Sequence, residues 1–333
     1  MSSPAARLGI RFDGFDAVGE TIAIVGRAEK AGVSSIWMTE HIGYREALVS
    51  CTAFALSTAR AMVVPAAVTP YLFHPMPTAM SLASMAELFP GRVGVSVAVG
   101  NSLDLKESGR EPGEPVRAVE DYVADLRKLW SGEPVHRSAE AYRLDGARLA
   151  FQPLSPIPVF VTALGSEVAE AAGRIADGIL MSAGFSLPFL RHCLALFEKG
   201  ATEAGRLPGD LRSAAFIHFA VSEDGRAARE SVRRKLGFLF RNRQMAENIA
   251  SSGIAIDQDA IIAAVAARDL DRAAALVPDD AVDAFGVAGT PGECARRLRD
   301  YVDSGLGEPV IQVSGSEAEQ ELALAVAREF TGG

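Results

Sequence analysis

The feature that most constrains this chain is a repeated alternation. Short apolar runs with strand character are each followed by a segment with helical spacing. Strands are predicted over residues 8–12, 34–38, 62–69, 93–99, 159–162, 178–181, 214–221 and 310–313. Helices are predicted over 16–31, 47–59, 75–88, 115–130, 167–175, 187–204, 226–240 and 317–330. The two periods are distinct: valine occupies every other position of 93–99, whereas Val116, Val119, Val123, Leu126 and Trp130 fall on one helical stripe. Gly32 stands where a helix C′ glycine belongs, and Pro75 where a first helical turn tolerates proline. Eight such units in 333 residues predict an α/β chain closed into a (β/α)8 TIM barrel rather than an open sheet. Two stretches break the alternation. Residues 135–151 read as a β-hairpin turning at Asp145-Gly146, and 242–288 as a helical insertion before the last strand. Beyond it, Thr290-Pro291 precedes a further helical start over 296–301. No repeat or low-complexity tract appears, so 1–333 is expected to be a single domain.

Composition narrows the function classes. With 33 Lys and Arg against 42 Asp and Glu, the net charge of −9 argues against a binder of nucleic acid or anionic membrane. Cys51, Cys193 and Cys294 are scattered, form no CxxC pair, and suit buried thiols in a reducing compartment. The start MSSPAARLGIRF lacks the apolar run of a secretory signal. The most apolar stretch, 61–73, is interrupted by Pro65 and Pro70, so no membrane span is expected and the cytoplasm is the expected location. No HExxH, CxxC or paired-carboxylate spacing points to a metal. The stretch GVSVA at 94–98 resembles a nucleophile elbow, but the valine alternation of a strand explains it better.

In a barrel of this kind chemistry gathers where strands end. Strand 2 ends in Thr39-Glu40-His41, strand 3 in Val68-Thr69-Pro70, and strand 4 in Val99-Gly100-Asn101-Ser102 with Asp104 just beyond. Strand 5 ends in Thr162-Ala163-Leu164-Gly165-Ser166 and strand 6 in Ser182-Ala183-Gly184. Of five histidines, His41 is the one that strand phase sets at a mouth, where an imidazole titrating near neutrality can move a proton. The competing reading is a turn residue ahead of the next helix. His74 simply precedes a helix start, and His136, His192 and His218 read as structural or surface residues. Gly165-Ser166 opens a helix and presents free N–H groups at its positive end, which suits a phosphate, and Ala183-Gly184 could add more; ordinary tight-turn chemistry is the alternative. The strand ends offer no lysine, which counts against a Schiff-base aldolase.

Four segments in order, IWMTEHIGYREAL, VVPAAVTPYLFHPMPTAMSLASMAELFPGRVGVSVAVGN, PIPVFVTALGSEVAEAAGRIADGILMSAG and FGVAGTPGECARRLRDY, resemble the bacterial luciferase-like superfamily. Within it they are most similar to methylenetetrahydromethanopterin reductase and its deazaflavin-dependent relatives. The resemblance implies a (β/α)8 barrel holding FMN or the deazaflavin coenzyme F-420, its ring lying across the strand ends. It places His41 and Glu40 at the chemistry and Thr69 against the ring. It sets a non-prolyl cis peptide near Ala67 and Val68, and a phosphate at Gly165, Ser166 and Gly184. Gly100, Asn101, Ala163, Leu164 and Ala183 complete the expected cofactor contacts. Glu40 stands where many F-420 relatives carry aspartate, as in luciferase-type flavin enzymes. Asn101 stands where the sugar-phosphate dehydrogenases carry a catalytic glutamate, and Asp104 where they carry asparagine, so sugar-phosphate oxidation by that mechanism is not expected. The implied function is a flavin- or deazaflavin-dependent oxidoreductase performing hydride transfer or monooxygenation on a small organic substrate. A homodimer is implied, with a flavin reductase as partner if the cofactor is FMN. The alternative, prompted by Asn101, is a catalytically inactive flavin-binding or partner-binding protein on the same barrel.

Overall fold

The computed structural model describes residues 6–332, so the first five residues of the start read above for a signal lie outside it. Strands β1 (Gly9–Phe12), β2 (Ser35–Thr39), β3 (Met62–Val68) and β4 (Val95–Val97) are all parallel neighbours. After a small hairpin of β5 (Val135–Ser138) and β6 (Arg143–Ala147) come β7 (Val159–Ala163), β8 (Gly178–Met181), β9 (Arg212–Val221), β10 (Gly286–Gly289) and β11 (Glu308–Gln312). The order β1-β2-β3-β4-β7-β8-β9-β11 returns to β1, closing an eight-stranded parallel barrel, as expected. Helices α1 (Val18–Lys30), α2 (Ala47–Leu56), α3 (Pro75–Leu88), α4 (Ser102–Glu107) and α5 (Pro115–Ser131) connect the first strands. The later ones are α6 (Ser166–Ile175), α7 (Leu187–Glu203), α8 (Arg226–Leu239), α9 (Ala246–Ser252), α10 (Gln258–Ala266), α11 (Leu270–Ala275), α12 (Asp279–Phe285), α13 (Pro291–Asp303) and α14 (Glu317–Thr331).

Strand alternation sorts side chains into two cores. Ile10, Ile36, Val63, Val161, Ile179, Ile217 and Ile311 face outward and pack under the helices. Trp37, Val64, Phe160, Leu180, Phe216 and Val310 face inward and fill the barrel. Trp37 meets Phe160 and Phe216 edge-on at 5.0 and 6.2 Å. Each aromatic ring sealed in this layer contributes about 1.5–3 kcal/mol of burial free energy. Beneath it, the buried Glu308 carboxylate accepts from the Ser34 and Ser35 hydroxyls, and Ser35 in turn accepts from the Trp37 indole at 2.6 Å. This layer plugs the barrel, so ligands are left the mouth at the strand C-terminal ends.

Outside the barrel, α6 and α7 cross at two glycines. A Cβ on Gly173 would stand 2.0 Å from the Phe197 carbonyl oxygen, and one on Gly200 would stand 2.1 Å from that of Glu170. Only glycine allows backbones to approach so closely.

Three local readings are corrected. The hairpin turns at 139–142, where Ala139 N–H donates to the Tyr142 carbonyl, and not at Asp145-Gly146. Glu140 at the tip accepts from the Gly113 and Glu114 N–H groups at 2.6 and 3.0 Å, which fixes the turn there. Gly146, at φ +66°, instead lies in β6, where the pairing of the two strands shifts register. The 242–288 insertion is four helices, α9 to α12, plus a strand the pattern missed: β10 pairs with the upper half of β9. The short helix α4, beyond strand 4, was not anticipated either. The insertion has its own apolar cluster, including Phe240, Met245, Ile249, Ile261 and Phe285, shared with α8.

Candidate active site

The rim over β1 to β4 gathers most of the titratable groups. Backbone N–H of Glu40 donates to the Ala66 carbonyl, continuing the β2–β3 ladder by one step. Its carboxylate turns toward α2 and accepts from Ala47 N–H at 2.7 Å. Burial, and then the neighbouring Glu46 and Asp104 carboxylates, push the Glu40 pKa up to about 7 against that hydrogen bond. The adjacent His41 is held below the ordinary imidazole value, chiefly by burial, while Asp13 and Asp104 oppose the shift. Burial also raises the Asp104 carboxyl. At neutral pH this side therefore offers a partly protonated carboxyl beside a neutral imidazole. His41 is stacked on Phe15, with ring centroids 5.3 Å apart and planes 23° apart.

On β3 a cis peptide joins Ala66 to Ala67, one bond before the expected place. The Val68 side chain is sealed under the helices, and its carbonyl accepts from Ala98 N–H. Thr69 is buried and donates its hydroxyl to the Val99 carbonyl at 3.2 Å. Gly100, at φ +100°, leaves room for that hydroxyl and for Leu105: a Cβ would sit 3.0 Å from each. The Asn101 carboxamide oxygen caps α4, accepting from Leu103 N–H at 2.9 Å. Thr39 Oγ1, at the end of β2, is buried without a partner.

The rim over β7 to β9 carries main-chain groups instead. The Ala163 side chain faces the helices, and its carbonyl accepts from Ser182 N–H. Leu164 bridges the main core and the insertion's cluster. Gly165 is extended, and no atom lies within 4 Å of where its Cβ would point. Helix α6 has no side-chain cap, as is also so for α1, α5, α8, α9 and α12, so its first N–H groups have no side-chain partner. The Ser166 hydroxyl donates to Glu247 at 2.5 Å and lies 3.2 Å from His192 Nε2. Ala183 packs against the barrel interior. Gly184, expected beside Gly165 as an anion contact, is arranged differently. Its Cβ position lies 2.4 Å from Leu239 and 3.1 Å from His218, so protein fills that space. Its carbonyl accepts from the buried Asn248, whose side chain also takes the Ser186 N–H and hydroxyl.

Two features escaped the sequence reading. His218 is no surface residue: it points into the barrel, both ring nitrogens are buried without partners, and burial pushes its pKa down to about 3. Below the rim, Arg11 donates to Asp13 at 2.5 Å and to Gln312 at 3.0 Å, and Gln312 donates to Asp13 at 2.6 Å. Register places these residues side by side, since Arg11 is opposite Gln312 and Ile311 opposite Ile217. Alternation from Phe216 and Val310 would have found both. A cavity of about 240 Å³ opens next to the triad, between the ends of β1 and β11. A second, of about 290 Å³, lies at the opposite end of the barrel beside Arg7, Arg212 and Glu308, away from the rim residues. Among the described residues no cluster of His, Cys, Asp and Glu could hold a metal, and no helix is long and apolar enough to cross a membrane.

With the geometry in place, similarity to known proteins can be weighed. A family model described as luciferase-like monooxygenase matches residues 3–308. The chain is 26% identical over 306 residues to 5,10-methylenetetrahydromethanopterin reductase of Methanolobus tindarius, covering 91% of this chain and 92% of that one. It is 26% identical over 311 residues to F-420-dependent glucose-6-phosphate dehydrogenase of Amycolatopsis mediterranei, covering 89% of each. Among solved structures, the coenzyme F-420-dependent tetrahydromethanopterin reductase from Methanopyrus kandleri superposes with TM-score 0.87 at 21% identity over 98% of both chains. The FMN complex of a type II Baeyer-Villiger monooxygenase component from Pseudomonas putida superposes with TM-score 0.72 at 18% identity, again over 98% of both. These structural likenesses show the shared barrel.

Proposed function

The chain belongs to the luciferase-like monooxygenase family, and from that premise we propose that it is an oxidoreductase using coenzyme F-420 or FMN on a small organic substrate at the barrel mouth. The observation that carries this reading is the pairing of the open flank of Gly165, where β7 passes into α6, with the Glu40–His41 proton-handling pair on another part of the same rim. The residues present fit a cofactor with an anionic tail and a polar ring. First-turn N–H groups of α6 favour negative charge, and the unpartnered Thr39 hydroxyl is available to a polar ring edge. When bound, such a cofactor supplies hydride transfer, and in the FMN case also reaction of its reduced ring with oxygen.

The remaining work belongs to the chain. Gly165 and Ser166 hold the tail through main-chain N–H groups, because the Ser166 hydroxyl is engaged with Glu247. Leu239 and His218 fill the Cβ direction of Gly184, so what this residue offers the tail is its main-chain N–H. Glu40 retains a proton up to about pH 7 and gives it up at its carboxyl oxygen. Neutral His41, stacked on Phe15, orients the substrate by hydrogen bonding or accepts a proton from it at its free ring nitrogen. F-420 is the first choice, because the names of both curated relatives just described refer to methanopterin reduction or to F-420. Glu40, the residue of luciferase-type flavin enzymes, favours FMN as the second reading, and only then is a flavin reductase required. A carboxyl and an imidazole both displaced from their ordinary pKa values at one mouth favour an enzyme over an inactive binding protein. We further propose one domain forming a homodimer in the cytoplasm, supported by three buried free thiols and by exposed Val49 and Leu56 on α2.

Titrating the purified chain with F-420 and with FMN, following fluorescence, tests the reading. One of the two is expected to bind, and Gly165→Val to weaken it at least tenfold without loss of fold, since extended backbone and open space accept the side chain. Failure of both cofactors to bind, or unchanged affinity in Gly165→Val, would overturn it.

A further inference from the structure

Aromatic surface is left open at one point of the rim. Phe15 is 52% exposed and Tyr44 57% exposed, and their rings lie 4.7 Å apart at 61°. Phe15 also stacks on His41, so the pair continues directly into the proton-handling groups. The loop bearing Phe15 is held in place: the Arg45 guanidinium donates to the Gly14 and Phe15 carbonyls at 3.2 and 2.6 Å. Gly14 makes that turn at φ +75°, with its Cβ direction 3.1 Å from the Arg45 carbonyl. An aromatic face fixed outward in water is a costly arrangement for a fold to keep, and it marks a binding surface.

The cavity of about 240 Å³ begins at the same ring, lined by Arg11, Asp13, Phe15, Asp16 and Gln312 among others. Its one cation is already matched, because Arg11 is buried and paired with Asp13. Of its charged lining groups, Asp13 and Asp16 outnumber Arg11. Glu46, Asp104 and Asp13 stand around the neighbouring Glu40–His41 pair. The nearby Lys235 amine is directed at the Phe219 carbonyl. The walls therefore present aromatic faces and carbonyl or carboxylate acceptors, and the carboxylates of Asp13, Asp16, Glu46 and Asp104 outnumber the cations Arg11, Arg45 and Lys235, which disfavours an anion there.

We propose that the substrate is a planar aromatic or heteroaromatic compound, uncharged or cationic, that stacks on Phe15 with Tyr44 meeting it edge-on and directs an N–H-bearing edge into the cavity at Asp13, Asp16 and Gln312. This rests on the oxidoreductase reading above and narrows its substrate class, setting sugar phosphates aside.

The test uses 2-aminoquinoline as a planar N–H-bearing probe, with cyclohexylamine and glucose 6-phosphate as counter-probes. Each is titrated by calorimetry into the full chain, bare and loaded with whichever cofactor binds. 2-Aminoquinoline is expected to bind more tightly than either counter-probe, to weaken at least tenfold in Phe15→Ala, and to be retained in Phe15→Tyr. Equal or tighter binding of glucose 6-phosphate, or 2-aminoquinoline affinity unchanged in Phe15→Ala, overturns the proposal. Because the bare chain is titrated too, failure to load a cofactor counts against the oxidoreductase reading and leaves this outcome readable on its own.

Discussion

Gly173→Ala probes the contact that sets α6, and with it the Gly165 cradle, against the rest of the barrel. The added Cβ would stand 2.0 Å from the Phe197 carbonyl oxygen and 2.8 Å from Ala201 N. Carbon and carbonyl oxygen settle at about 3.3–3.6 Å, so the two helices must part by more than about 1 Å. Both clashing atoms are backbone, so no side-chain rotation relieves them. Overpacking of this kind costs about 1–3 kcal/mol or more. Alanine's better helix propensity returns about 1 kcal/mol. The sign is therefore destabilising, on the order of 2 kcal/mol with a backbone clash at the upper end of the range. Urea unfolding followed by circular dichroism should show a lower midpoint at unchanged slope. Moving α6 also moves the N–H groups at its start, so cofactor affinity should fall although the substitution lies about 12 Å along the helix from Gly165. Gly200→Ala meets the Glu170 carbonyl at 2.1 Å across the same crossing, and the double variant should cost less than the sum of the two. A midpoint equal to or above that of the unaltered chain would refute the reasoning.

Two further outcomes follow from the rim. Glu40 holds its proton to about pH 7 in the folded chain against an ordinary value of 4.5, so turnover that uses this proton should decline as pH rises through about 7, and Glu40→Gln should remove that limb. By linkage, the favourable contribution of Glu40 to stability is full below pH 4.5 and is lost as pH rises toward 7. An unchanged pH profile in Glu40→Gln would assign the limb elsewhere. Asn248→Leu leaves the Ser186 N–H and the Gly184 carbonyl buried without partners, at about 1–3 kcal/mol each, so the urea midpoint should fall by the equivalent of about 2–6 kcal/mol. A midpoint matching the parent would show that water replaces the amide there.

The barrel was legible because its signal is local and repeated. Alternation with period two fixes which face of each strand is apolar, and one face of β4, Val95 and Val97, is readable without knowing what lies against it. Elements whose existence depends on distant partners were not. The four residues Gly286 to Gly289 carry two glycines and no bulky run, and become a strand only because the upper half of β9 has a free edge. The hairpin tip went wrong for the same reason. Asp-Gly is the stronger local turn signal, but Glu140 reaches back 26 and 27 residues to two N–H groups, and that long-range contact decides where the chain reverses.

At the mouth, the decisive ambiguity lies in glycine itself. A glycine between a strand and a helix states that a Cβ is unwelcome, without stating what excludes it. At Gly165 nothing lies within 4 Å and the backbone is extended, so the space belongs to whatever enters from solvent. At Gly184 the backbone is left-handed, at φ +83°, and the space is occupied by Leu239 and His218. The two letters are identical in sequence, and the difference is made by α8 and by Asn248 from an insertion more than sixty residues further along. The same insertion sets Glu247 against Ser166. His218, Arg11 and Gln312 differ in kind from these. Strand parity alone places them inside the barrel, and carrying the alternation past the last apolar residue of each strand, rather than stopping at the rim, exposes a polar layer beneath the mouth. In this fold the inward-facing polar residue just above the aromatic layer is therefore as legible in the sequence as the residue that closes the strand.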